Sequence, residues 1–223
     1  MLLARCTLDV VTTPFDRVGA RKRAQGVQDR LPPGQYLPRG WPVLHYGPVP
    51  KADLDTWDLK VFGETASGEI TRWTWPSFGH LPRVGVHADF HCVTKFSVLD
   101  NDWRGVSIRT VLELAPPAPS VTHVLVWAEH GYTANLPLAD FSSPDALLAT
   151  HRNGEELTRD HGWPLRLIVP HRYAWKGPKW VRGIEYLDAD RRGFWEERGY
   201  HNVGDPWREQ RYSYQEEPGE GPT

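Results

Sequence analysis

The chain has 223 residues, 39% of them apolar, and 26 basic against 28 acidic side chains for a formal charge of −2. That is enough for one domain with a real core, so disorder throughout is excluded, and the charge balance argues against a general nucleic-acid or anionic-membrane binder. The longest unbroken apolar run, Val124 to Ala128, is five residues, far short of the ~20 that span a bilayer. The only cysteines are Cys6 and Cys92. They exclude a disulfide framework and a four-cysteine zinc site. Eleven tryptophans predict a fold that wraps large rings around itself or around something else.

In chain order, residues 1–30 read as a flexible arm. The basic cluster Arg21-Lys22-Arg23 is not followed by the apolar core of an export signal. A reducing cytoplasm is therefore the expected location, with Cys6 irrelevant to function and Cys92 free to exist as a thiolate. A single domain is expected over residues 31–212. It opens with extended coil, punctuated by five prolines between Pro32 and Pro48. Strands are predicted over residues 57–63, 84–94, 121–128, 165–169 and 179–187, where apolar residues alternate or cluster. Helical spacing over 107–114 stops at Pro116-Pro117. Asn153-Gly154 predicts a two-residue hairpin turn within 147–157. The aromatic stretch 191–212 has no clean period and reads as an irregular packed cover, and residues 213–223 as a disordered tail.

The first chemical centre is Asp89-Phe90-His91-Cys92-Val93-Thr94. Four readings of Cys92 stand open. It is an inert buried thiol, a nucleophile paired with His91 or His87, a zinc ligand with both histidines, or one thiolate ligand to a softer metal carried by a cofactor. The second centre spans His161 to Arg166 and Tyr173 to Trp180. Leu165, Leu167 and Val169 share one face of a strand, leaving Arg166 and Ile168 on the other. A mid-strand arginine needs a carboxylate or a phosphate. Either an internal Arg–Glu pair or an anion clamp satisfies it. Gly177-Pro178, flanked by Lys176 and Lys179, lets a ligand approach the backbone closely. A single-stranded nucleic-acid groove also mixes Trp with Lys and Arg, but Glu185, Asp188 and Asp190 follow at once.

Six motifs occur in order: Asp89-Phe90-His91-Cys92-Val93-Thr94-Lys95, Trp103-Arg104-Gly105-Val106, His130-Gly131-Tyr132-Thr133-Ala134-Asn135-Leu136-Pro137, Asn153-Gly154, His161-Gly162 with Pro164-Leu165-Arg166, and Trp175-Lys176-Gly177-Pro178-Lys179-Trp180-Val181. Together they resemble the molybdopterin-binding domain of the sulfite oxidase family, from about Leu31 to Tyr212. The resemblance is to the small bacterial members that carry the catalytic module alone. It implies an α+β fold of mixed β-sheets with short helices, and a cofactor of molybdenum and molybdopterin. It implies Cys92 as the metal ligand, and Arg166, Lys179, His161 and the Gly177-Pro178 backbone at the pterin phosphate. His45 and Tyr46 would touch the pterin from its other side, and Tyr132 would stand at the active-site tyrosine position. The implied chemistry is two-electron oxygen-atom transfer on a small oxoanion or an S- or N-oxide, with a separate electron-transfer partner.

Against the sulfite oxidases one position departs. Where they carry a substrate-facing arginine, Leu44 stands here, before His45-Tyr46. Lys95, three residues after Cys92, is the expected partial replacement. Related methionine-sulfoxide reductases imply that the module also runs reductively. Two rival functions remain: a Cys92–His91 thiol hydrolase or transferase, and a module that holds the pterin without turnover.

Overall fold

The computed structural model describes residues 24–222 and residue 19. Most of the expected arm, including Cys6, lies outside the described residues. Among the described residues ten strands run in chain order: β1 Asp58–Gly63, β2 Thr71–Thr74, β3 Val84–His91, β4 Ser97–Ser107, β5 His123–Ala128, β6 Thr133–Pro137, β7 Leu147–Arg152, β8 Glu155–Glu156, β9 Arg166–Ile168 and β10 Val181–Leu187. Three short helices join them, α1 Trp75–Gly79, α2 Ile108–Leu114 and α3 Leu138–Phe141. One sheet has the order β2-β1-β10-β5-β6; the other is β3-β4-β7-β8, with β9 paired to β7. The first sheet is mixed, because β1 and β10 run parallel while its other neighbours are antiparallel. The expected α+β fold of mixed sheets with short helices is therefore the observed one.

The main core draws Leu59, Val61, Val124, Val126, Ile184 and Tyr186 from the first sheet. It draws Val106, Leu148 and Leu167 from the second, with Leu165 from the residue just before β9. A smaller cluster of Trp103, Leu147, Ala149 and Ile168, with Trp41 and Phe90 against it, covers the far face of the second sheet. β9 therefore separates two apolar volumes, as its alternation predicts: Leu165 and Leu167 face one, Ile168 the other. The Asn153-Gly154 turn has positive φ at both residues, 52° and 84°, the geometry of the tight hairpin expected there. The predicted helix is α2, begun by the Ser107 hydroxyl accepting from the Arg109 N–H.

The long strand β4 was not expected, because Asp100, Asn101, Asp102 and Gly105 are poor strand formers. Tertiary bonds stabilise it. Asn101 is buried, donates to the Ala88 and Val98 carbonyls, and accepts from Arg152.

Both ends of the chain need correction. From Gln28 the expected arm is anchored: Gln28–Arg30 forms a turn, and Arg30 pairs with Asp89 at 2.6 Å and Asp100 at 2.7 Å. The expected disordered tail is likewise tied down as far as Glu220. Ser213–Gln215 makes another turn, the Glu216 carboxylate grips Arg192, and Glu220 accepts from Arg208 and Gln210. Carboxylates that read as solvated tail in one dimension meet arginines far away in sequence.

Candidate active site

A cavity of about 280 Å³ opens between the coil at residues 41–46, the end of β3, the 174–180 segment and the C-terminal cover. It brings together Cys92, Tyr132, His45, Tyr46, His161, Arg166, Gly177, Pro178 and Lys179. Nine of the ten expected site residues thus line one space. The tenth, Lys95, stands outside: its exposed side chain leaves a turn at positive φ, 75°, and does not line the cavity. The turn's bonds from the Lys95 N–H to the Cys92 carbonyl, and from the Tyr36 N–H to the Lys95 carbonyl, hold that orientation.

Cys92 ends β3 in this turn. Its amide donates to the Phe96 carbonyl, and its own carbonyl accepts from Gln35 Nε2. Arg211, from the C-terminal cover, donates to the neighbouring Val93 carbonyl. The thiol is 9% exposed and lies 3.2 Å from the Thr94 hydroxyl. Burial pushes the thiol's pKa up, against the Thr94 hydrogen bond and the charges of Arg166 and Lys179. Such a thiol keeps its proton unless a metal displaces it.

The two histidines expected as possible partners are elsewhere. His91, adjacent on a strand and so on the opposite face, bonds Ser97 Oγ at 2.8 Å. His87 reaches Asp102 at 2.7 Å on an exposed edge. Neither the nucleophilic dyad nor the zinc site is assembled, and among the described residues no three His, Cys, Asp or Glu side chains converge to hold a metal.

The other end of the cavity is cationic. Arg166 is 2% exposed and has no carboxylate partner among the described residues. Its Nη1 and Nη2 donate to the carbonyls of His161, at 3.0 Å, and Gly177, at 3.4 Å, while buried Nε has no partner. The internal Arg–Glu pair left open by the sequence is therefore not made by Arg166. It has a counterpart one segment away, where Lys176 pairs with Glu196 at 2.6 Å. Burial pulls the guanidinium down to about 10, so it stays charged at neutral pH. Lys179 is brought to about 7, first by burial and then by Arg166. Its ammonium donates to the Asp160 carbonyl.

His161 stacks on Trp41 with ring centroids 3.9 Å apart and donates from Nε2 to the Trp41 carbonyl. Burial, with Lys179 nearby, lowers it to about 4, so the imidazole is neutral. The backbone permits this crowding only with glycine. A Cβ at Gly177 would stand 2.5 Å from the Leu167 carbonyl oxygen, and one at Gly162, φ 115°, 2.9 Å from Arg166 Cβ. A buried guanidinium with no carboxylate partner among the described residues and one unsatisfied N–H of its own, beside backbone that only glycine allows, fits the phosphate end of a molybdopterin.

Tyr132 follows a turn in which His130 has positive φ, 61°. Its hydroxyl donates to the Trp175 carbonyl at 2.7 Å. Burial, and then the Glu196 carboxylate, raise its pKa well above the ordinary tyrosine value. His45 and Tyr46 line the cavity as well; the Tyr46 ring is 4.5 Å from Phe194 of the cover, and His45 stands edge-on to Trp180. Of the rest of the lining, Thr94 and Trp180 belong to the two chemical centres already read from the sequence, Trp195 and Tyr200 only to its aromatic cover, and Trp41 was missed. Trp41, Trp195 and Tyr200 come from coil and cover without periodicity, so only the aromatic content pointed to them.

Comparison with known proteins agrees with this geometry. Residues 46–195 match the family described as the oxidoreductase molybdopterin binding domain. The chain is 41% identical to the Bacillus subtilis protein "Uncharacterized oxidoreductase YuiH" over 195 residues, covering 87% of this chain and 98% of that one. It is 30% identical to sulfite oxidase of Arabidopsis thaliana over 194 residues, covering 70% of this chain and 48% of the plant enzyme. Thus it spans about half of that relative's length. The crystal structure of the sulfane dehydrogenase SoxCD from Paracoccus pantotrophus shares the fold, with a TM-score of 0.62 at 19% identity over 70% of this chain and 43% of that one. The chain therefore belongs to the oxidoreductase molybdopterin-binding domain family, sulfite-oxidase-like in fold, and is an oxidoreductase that takes molybdopterin with molybdenum.

Proposed function

We propose that this chain carries out two-electron oxygen-atom transfer on a small sulfur or nitrogen oxo compound, and that neutral S- or N-oxides are better substrates than sulfite. The observation that carries the reading is one cavity with a lone buried thiol and an unpaired Arg166–Lys179 end. A metal whose remaining ligands come with the cofactor needs only one protein thiolate. The bound cofactor supplies the two-electron redox chemistry. The chain's own residues bind and orient. Cys92 gives the metal its protein ligand. Arg166 and Lys179 hold the phosphate with charge-assisted hydrogen bonds, and the neutral His161 and the Gly177-Pro178 backbone complete that end. His45 and Tyr46 contact the pterin from its other side. Tyr132, protonated at neutral pH, offers a hydroxyl beside the reacting centre.

The substrate preference rests on charge. Leu44 lines the cavity, whereas Lys95 and the exposed Arg104 do not. The lining cations are those of the phosphate end, and the one lining carboxylate, Glu129, pairs with Arg182 at 2.8 Å. A compact dianion therefore meets no guanidinium left over for it. Electrons pass to or from a separate protein partner in this reading.

The test is protein made in a host with an intact cofactor pathway. Near-stoichiometric molybdenum and turnover of dimethyl sulfoxide or trimethylamine N-oxide with an artificial electron donor are expected, with poor, high-KM sulfite oxidation. Molybdenum-loaded protein that turns over neither class would leave a binding module. Efficient low-KM sulfite oxidation would overturn the preference.

A further inference from the structure

Behind Tyr132 a buried ion pair closes a ring of bonds. The Tyr132 hydroxyl donates to the Trp175 carbonyl at 2.7 Å. The Trp175 indole N–H donates to Glu196 Oε1 at 2.8 Å. The next residue, Lys176, meets the same carboxylate oxygen at 2.6 Å. Lys176 Nζ also donates to the backbone carbonyl of Asn135 at 2.9 Å and to its side-chain oxygen at 2.8 Å. Asn135 belongs to β6, the strand that begins directly after Tyr132, so the ring returns to its start.

Stability is a poor account of this pair. The side chains of Lys176 and Glu196 are 1% and 0% exposed. Burying two charges costs several kcal/mol each before their attraction is counted, and apolar residues of similar volume commonly do as well or better. Here one carboxylate oxygen, Glu196 Oε2, is buried without a partner, a further cost. What apolar replacements cannot supply is direction. The pair fixes the Ala174–Lys176 turn to β6 and to the cover through bonds of set length and angle. That turn carries the carbonyl that receives the tyrosine hydroxyl.

We propose that Lys176 and Glu196 are positioning residues for Tyr132, holding the Trp175 carbonyl where it orients the phenol toward the reacting centre. The inference rests on the place given to Tyr132 above. It assigns a task to the C-terminal cover, which carries Glu196 just beyond the part of the chain that matches the family.

The test compares three variants of the full chain: Lys176→Met with Glu196→Leu, Glu196→Gln, and Tyr132→Phe. The first readout needs no turnover. Tyrosine labelled with carbon-13 at Cζ reports the hydroxyl's hydrogen bond, and Tyr132→Phe assigns the resonance. The apolar pair should move that resonance, and Glu196→Gln, which keeps an acceptor for the indole, should largely restore it. In loaded enzyme the apolar pair should lower kcat about ten- to a hundred-fold, as misplacement of a reacting group does, with little change in KM. It should add nothing to Tyr132→Phe in a double-mutant cycle. An unmoved resonance, or losses that simply add, would overturn the proposal. Should the apolar pair fail to fold, Glu196→Asp withdraws the carboxylate from the indole and must move the resonance for the proposal to stand. Full turnover by Tyr132→Phe would remove the tyrosine's own role, while the resonance still reports whether the pair orients it.

Discussion

Burial acts in opposite directions on the two residues at the ends of the cavity. It pushes the Cys92 thiol up, keeping it protonated and unreactive, and pulls the Lys179 ammonium down to about 7. In the proposed reading, a cofactor with a soft metal at Cys92 and a phosphate at Lys179 reverses both. In Cys92→Ser a hard hydroxyl replaces the thiolate. The pterin should still bind through Arg166 and Lys179, while turnover falls by orders of magnitude and a Cys6→Ser control stays silent; molybdenum content and kcat, measured together, check this. For Lys179, a bound dianion favours the charged amine and raises its pKa, so binding takes up a proton wherever the free amine is neutral. Sulfate, which does not titrate in this range, should bind the cofactor-free protein more weakly as pH rises from 7 to 9, by up to about ten-fold per unit. Titration calorimetry in two buffers should show the proton uptake, and Lys179→Met should abolish the slope.

Between elements, the contacts that matter near the site join segments distant in sequence. Arg211 ties the cover to the Cys92 turn through the Val93 carbonyl, and Asp140 ties α3 to the loop before the 174–176 turn. Asp140 accepts from His171 at 3.1 Å and from Arg172 at 2.7 and 3.0 Å. Burial alone would raise its pKa, but these bonds outweigh burial and bring it to about 2. An unfolded Asp titrates near 3.9, and a folded pKa below that contributes stability that is present above the unfolded value and lost as pH falls through the folded one. The difference amounts to about 2–3 kcal/mol. Asp140→Asn should therefore unfold in urea at a lower midpoint at pH 7. The gap to wild type should close as the pH drops from about 5 toward 2. A gap independent of pH would mean that the ion pair contributes nothing.

On the scale of the whole molecule, the cavity is largely aromatic, with Arg166 lying over the Trp41 and Phe90 rings, and in the proposed reading substrate choice follows from how few cations line it. Leu44→Arg places a guanidinium in the cavity lining. It should raise kcat/KM for sulfite, mostly by lowering KM, because restored anion binding acts on the ground state as much as on the transition state. Neutral oxides should gain nothing. Steady-state kinetics on both substrates decides, and a change confined to kcat would place the arginine's effect on the chemical step instead.

Much of this was legible from residues in one dimension. The apolar runs of β1, β5, β9 and β10, the Asn153-Gly154 turn and the helix after Ser107 are set by local periodicity and turn chemistry, which do not need the rest of the chain. The six ordered motifs carried the family and seven of the nine expected residues that line the cavity, because such residues sit at fixed steps within their own segments; His45 and Tyr46 lie outside the motifs and came from the wider resemblance. Three things depended on the tertiary structure. β4 forms because buried Asn101 finds two carbonyls and an arginine across the sheet, which no propensity foresees. Lys95 turns outward because the Cys92 turn takes it to positive φ, a conformation its neighbours in sequence do not announce. The internal ion pair falls to Lys176 rather than Arg166, because folding brings Glu196 from the cover beneath the Trp175 turn. Pairings between distant segments are decided by which charges are buried together, and burial is a property of the folded chain alone.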